Sequence, residues 1–249
     1  MKVKIGGVLI VLAVLLGCAT SSNLVPDYKQ AENSVVILIH NYGMTSGVLI
    51  SEDGYVLSCA HGGVPQKAYA KQFFDDMEMA LITQCEKIEV VFMDKDLDIG
   101  IYKITDPRRF AAAKISDKEV KKGEDLFSLG TPLGAPFYLS WGKMIKHLYR
   151  ADIGIPYILH SCCGNMGNSG GPLFNMDGEL VGINVFMYAA LPTMAGYVAL
   201  IDGMLAIRVK DFLPGIEGII QTHRNLQVSL DELATAQKHI DEIERERPD

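Results

Sequence analysis

Short runs of β-branched and apolar residues, broken at even spacing by glycine or aspartate turns, most constrain how this chain can fold. "SVVILIH", "GVLISEDGYVLSCAH" and "IEVVFMDKDLDIGIYKI" form a first group, with turns such as "EDGY". "DLFSLGTPLG", "YLSWGKMIKHLYR", "IPYILHSCC", "ELVGINVFMYA" and "AGYVALI" form a second. Runs of this length and composition read as strands, and many of them without intervening long helices argue for an all-β barrel or sandwich. Between the first strands, "PQKAYAKQFFDDMEMALITQ" is more helical in composition and is expected to be a surface excursion. No internal repeat or low-complexity tract interrupts the pattern.

The 249 residues are 49% hydrophobic, 21% charged and 8% aromatic, enough to bury a sizeable core and too apolar for wholesale disorder. A formal charge of −7, with Lys and Arg scattered, leaves no basic stripe for phosphates, so nucleic acid is not an expected partner. The beginning is different in kind. "MKVK" is followed by the apolar run "IGGVLIVLAVLLG" and then Cys18. The run is shorter than the roughly 20 residues of a spanning helix and fits an export signal over residues 1–17. "LLGC" resembles the lipobox of bacterial lipoproteins, which implies lipidation of Cys18 and a membrane anchor, with a plain signal peptide as the alternative. Residues 18–32 then read as a tether. An exported chain meets oxidising conditions, where Cys59, Cys85, Cys162 and Cys163 permit three pairings or free buried thiols.

From about Gly215 the composition turns helical, giving a tail over 214–249. Ile219, Leu226, Leu233 and Ile240 recur every seven residues, with His223, Leu230 and Gln237 interleaved. Such a face either packs on its own domain or joins a second copy as a coiled coil.

One turn carries chemistry. "GNMGNSGGPLFN", Gly164 to Asn175, presents Ser169 among glycines. A serine hydroxyl attacks a carbonyl only with a base beside it, a carboxylate to orient that base, and donors for the oxyanion. The N–H groups of Gly167 and Ser169 are candidates for the donors. "GYVLSCAH" delivers His61 from an apolar strand, and "DKDLDIGIYKI" places Asp98, rather than Asp94 or Asp96, just before another. The order His61, Asp98, Ser169 is the chymotrypsin order and not that of subtilisin or the α/β-hydrolases. His40, His147, His160, His223 and His239 read as surface or core histidines. No spacing suggests a metal site, and the chemistry requires no cofactor.

These residues resemble the trypsin-like serine proteases, and among them the bacterial HtrA/Deg type. "DGYVLSCAH" resembles the strand into the catalytic histidine, "DLDIGIYKI" the aspartate segment, "KKGEDLFSLGTPLGAPFYLSWGKMI" the opening of the second barrel, "GNSGGPLFNMDGELVGIN" the nucleophile turn, and "AGYVALI" the last core strand. The resemblance implies two six-stranded antiparallel barrels over residues 33–213, followed by the helix, and polypeptide substrates. It also places the floor of the primary pocket at Cys163, where trypsin-like enzymes that cleave after Lys or Arg carry a carboxylate. Val185, Phe186 and Met187 become its wall and Met166 its rim, which favours an aliphatic side chain. Peptide-binding PDZ domains usually follow this protease type, whereas the helical tail is expected here. Loop order decides whether the oxyanion donors form, so a resting state awaiting a ligand, or a binding protein on a protease fold, is the alternative to an exported, lipid-anchored endopeptidase.

Overall fold

The computed structural model describes residues 28–73, 86–135, 137–152, 154–187, 190–193, 196–199 and 203–245. The expected export signal, Cys18 and most of the expected tether lie outside them. A short helix α1 (Tyr28–Asn33) leads into β1 (Val35–His40), β2 (Gly43–Leu49), β3 (Tyr55–Ser58), β4 (Lys67–Ala70), β5 (Glu86–Asp94) and β6 (Ile99–Ile104). These close into an antiparallel barrel of order β1-β2-β3-β6-β5-β4. The second barrel has β7 (Asp125–Gly130), β8 (Tyr138–Arg150), β9 (Ile155–His160), β10 (Pro172–Asn175), β11 (Leu180–Met187) and β14 (Met204–Arg208), in the order β10-β11-β14-β9-β8-β7. Closure leaves neither barrel with an open strand edge. The expected pair of six-stranded barrels is therefore present.

Two segments depart from the sequence reading. The stretch read as a helical excursion begins as strand β4, because Ala68 and Ala70 alternate inward and pair with β1; residues 74–85 of it lie outside the described set. "AGYVALI" is not the last barrel strand. Its Gly196–Ala199 forms β13, which among the described residues pairs only with β12 (Ala190–Thr193), in a separate hairpin. The sixth strand is β14, whose Ala206 and Ile207 face β9 and β11.

Period-two alternation sorts the side chains. On β1 and β3, Val36, Leu38 and Val56 fill the first barrel with Tyr102 and Ile104, while Val35, Tyr55 and Leu57 point outward into the seam between barrels. Leu126, Met144, Ile158, Leu173 and Ala206 fill the second barrel. His160, fully buried, donates from Nε2 to Asn184 Oδ1 at 2.9 Å, and Asn184 Nδ2 donates to Ser128 Oγ at 2.7 Å. Burial pushes its imidazole down to about 4, so it stays neutral as a core histidine. Phe127, Phe174 and Ile183 join Leu57, Ile99 and Ile101 in one apolar cluster across the seam.

The last described element is α2 (Leu213–Arg245). Its first turns are held to the barrels. Ile216 and Ile220 are buried, Tyr55 and His223 hydrogen-bond at 2.8 Å, and Arg224 donates twice to Asp53 at 2.8 and 3.0 Å. The helix root also reaches the site described next: Phe212 and Ile216 line a cavity of about 10 Å³ behind Asp98, with Leu57, Ser58, Ile99 and Ile183.

Phe174 stacks on Phe127 with centroids 5.2 Å apart, both rings fully buried. Phe174→Ala should lower the unfolding free energy by roughly 3–5 kcal/mol, read from the midpoint and slope of a urea titration.

Candidate active site

β3 ends at Ser58, and the chain turns so that the N–H groups of Ala60 and His61 both point at one carboxylate oxygen. They donate to Asp98 Oδ1 at 3.0 and 2.8 Å. The other oxygen, Oδ2, accepts from His61 Nδ1 at 2.8 Å. Asp98 sits just before β6 in a left-handed conformation (φ 56°), which a non-glycine residue adopts only when its surroundings impose it. Its residue is 5% exposed, and these three donors meet the buried carboxylate's lone pairs. Tyr102, buried on β6, reaches the carbonyls of Cys59 and Gly63 at 3.3 Å each and braces the same loop.

Because Nδ1 faces a carboxylate, Nδ1 carries the proton and Nε2 is the basic nitrogen of the neutral ring. Nε2 lies 3.8 Å from Cys59 Sγ. Asp98, and then Cys59, push the imidazole up to about 10. At neutral pH the proton-free ring is thus the minor form in the resting protein, and it grows as pH rises.

The turn carrying Ser169 belongs to the second barrel but is tied to the first. Ser46 on β2 donates its N–H to Ser169 O at 2.9 Å and its hydroxyl to Gly167 O at 2.8 Å. On the other side, Gly170 N–H donates to Asn184 O at 2.6 Å and Gly171 N–H to Asn168 O at 2.9 Å. Gly170 packs so closely on Ser58, Ser46 and the Cys59 amide that a Cβ there would collide with all three. The Ser169 turn therefore abuts the strand that delivers His61. Gly167 has φ 103°, and a Cβ on it would strike the Thr131 carbonyl oxygen. Among the described hydrogen bonds, the N–H groups of Gly167 and Ser169 donate to none, while those of Met166, Asn168, Gly170 and Gly171 are taken up. Two amides left over in one turn, on either side of Asn168, are what an oxyanion requires.

The structure thus brings together His61 and Asp98 and sets the Ser169 turn beside them; no described hydrogen bond joins Ser169 Oγ to His61. Of the residues read as a pocket, Cys163 is exposed, with its N–H donating to Ser140 Oγ at 2.6 Å and its carbonyl accepting from Asn168 Nδ2 at 3.3 Å. Met166 is 47% exposed at the rim, and its carbonyl accepts from Leu133 N–H at 2.7 Å. Val185 is buried in the seam cluster. Phe186 and Met187 end β11, and their side chains lie outside the described set. Cys59, Cys162 and Cys163 are free thiols; Cys85 is not described. Ser46, Thr131 and Cys59 were not singled out by sequence. A serine in a β-strand has no signal of its own, and only the fold shows it spanning the seam.

The trypsin-like peptidase domain matches residues 45–183, more than half of the chain and all three candidate catalytic positions. The chain belongs to the trypsin-like peptidase family. Within the family its relatives include proteins named "Probable periplasmic serine endoprotease DegP-like". That of Halomonas elongata is 33% identical over 142 residues, and that of Rhizobium meliloti 30% identical over 173 residues. These alignments cover 56% and 68% of this chain but only 28% and 32% of the relatives, so the chain spans about a third of their length. Among solved structures, the serine endoprotease from Yersinia pestis superposes with a TM-score of 0.61 at 22% identity, covering 78% of this chain and 66% of the other. An inactive form of Rv3671c from M. tuberculosis H37Rv gives 0.61 at 18% identity, covering 80% and 92%. At these identities the two structures establish the shared peptidase fold.

Gly167→Ala should leave the fold intact by circular dichroism yet reduce acylation of the site by roughly 10²–10³-fold, because the displaced peptide removes one oxyanion donor. The acylation rate of the wild type should climb through the range between 6.5 and about 10, as the imidazole loses its proton. Cys59→Ala should move that limb to lower pH, and Asp98→Asn should move it further, since the carboxylate is the larger cause.

Proposed function

We propose that this chain is an exported, membrane-anchored serine endopeptidase that hydrolyses polypeptides in protein quality control or processing of the bacterial envelope. The observation that carries the reading is the buried Asp98 carboxylate orienting His61 beside a turn whose Gly167 and Ser169 amides are left for an oxyanion. In the proposed cycle, His61 Nε2 takes the proton of Ser169 Oγ as the hydroxyl attacks the scissile carbonyl. The Asp98 carboxylate stabilises the imidazolium, and the oxyanion accepts from Gly167 and Ser169 N–H. His61 then protonates the leaving amine, and water releases the acyl group by the same route. Side chains and backbone amides supply the whole sequence.

Cys163 at the pocket floor offers no carboxylate to a Lys or Arg side chain, which supports cleavage after aliphatic residues, with Met166, Val185, Phe186 and Met187 around it. The relatives' names support action in the periplasm, and the "LLGC" stretch supports attachment through a lipid on Cys18. Among the described residues no helix is long and apolar enough to cross a membrane.

A second reading rests on one contact. In the resting structure His61 Nε2 lies beside Cys59 Sγ. A protein kept in that arrangement would bind partners through a protease fold without turnover. A fluorophosphonate probe separates the two. The peptidase reading predicts labelling of the wild type and none of Ser169→Ala, together with turnover of denatured casein. Equal labelling of both proteins defeats it, and casein bound without cleavage favours the binding protein.

A further inference from the structure

The helix α2 continues well past the barrels. Its inner face is buried at Ile216 and Ile220 and half-buried at Ile219 and His223, all against the first barrel and the seam. The same face runs on as Leu226, Leu230 and Leu233, which are 55%, 48% and 66% exposed because the barrel surface has ended. Residues 225–245 extend it by about 30 Å at the rise of an α-helix. A helix of that length with no packed face is marginal in water, so its apolar seam calls for a partner.

We propose that the partner is a second copy of the chain, joined through this seam as a parallel, in-register coiled coil. The heptad pattern specifies it. Leu226, Leu233 and Ile240 hold the d positions, and Leu230 and Gln237 the a positions, while His223, one heptad before Leu230, is bonded to Tyr55 in the docked root. In a parallel pair, the flanking residues that meet between copies are Thr222 with Gln227, Ser229 with Ala234, and Ala236 with Asp241, none of them a like-charge pair. The charged side chains Arg224, Asp231, Glu232, Lys238 and Glu242 lie at the outer positions, away from the seam. Small flanks at Ser229, Ala234 and Ala236 let the two helices approach. The parallel register sets Gln237 against Gln237, where the amides can hydrogen-bond, whereas an antiparallel pair centred on the leucines would bury Gln237 against Leu226. The seam is short and interrupted by one polar layer, so the association is reversible and depends on concentration. It does not rest on the peptidase reading, since it needs only the helix.

The test is the mass of the full chain in one detergent buffer, by sedimentation across a dilution series. The wild type should pass from an associated form to the monomer on dilution. Leu226→Ser with Leu233→Ser should weaken association by roughly tenfold or more, while Val228→Ser, on the opposite side of the helix, leaves it unchanged. Gln237→Leu adds apolar surface at an exposed position and should tighten association, which tests the seam even if the double variant folds poorly. A wild type monomeric at every soluble concentration overturns the proposal. So does a double variant as associated as the wild type, the pattern expected of micelle-driven contact, or a Val228→Ser variant that dissociates equally.

Discussion

The buried carboxylate of Asp98 is the constraint around which this molecule is arranged. A charge in that position is tolerable only when its lone pairs are met, and three donors from one short stretch meet them: the amides of Ala60 and His61 and the imidazole Nδ1. To receive them, residue 98 accepts an unfavourable backbone conformation at the start of β6. The three bonds fix the tautomer and the direction of the ring, so the basic nitrogen is aimed by the first barrel before any substrate arrives.

The second barrel contributes the Ser169 turn, and the joint between the halves is polar. Ser46 binds the turn at two carbonyls, those of Gly167 and Ser169, and the glycines on either side of Asn168 and Ser169 are packed too tightly for a Cβ. Around this joint the seam is apolar, from Leu57 and Ile99 to Ile183 and the root of α2. The bond from the Asp98 carboxylate raises the affinity of the ring for its proton, against an opposing effect of partial burial. That gives the site a tension. The interactions that orient His61 also hold it protonated, and Cys59 adds to the effect. In the proposed cycle the ring acts as a base once Ser169 and a substrate carbonyl displace that balance.

Much of this was legible in the chain. Alternating β-branched runs announced an all-β fold, and "GNSGGPL", "CAH" and "DIGI" marked the turn, the imidazole and the carboxylate, because each carries its own local pattern. What was not legible depends on contacts distant in sequence. Ser46 looks like any strand serine until β2 is laid against the turn of the other barrel. Cys59 gives no sign that its sulfur sits beside Nε2. The segment after β11 misled for a different reason: "AGYVALI" has the composition of a barrel strand, yet β14 takes that place by pairing with both β9 and β11. The tail was open between packing on its own domain and self-association, and its root and its extension divide between a docked and an exposed face.

The most direct test of the central claim is a crystal structure of the chain with a phosphonate covalently bound to Ser169. The account predicts the ester oxygen of Ser169 within hydrogen-bond reach of His61 Nε2, the phosphonyl oxygen accepting from Gly167 and Ser169 N–H, and Asp98 still bonded to Nδ1. A phosphonate on another residue, or a serine adduct with the imidazole turned away and both amides engaged elsewhere, would contradict it.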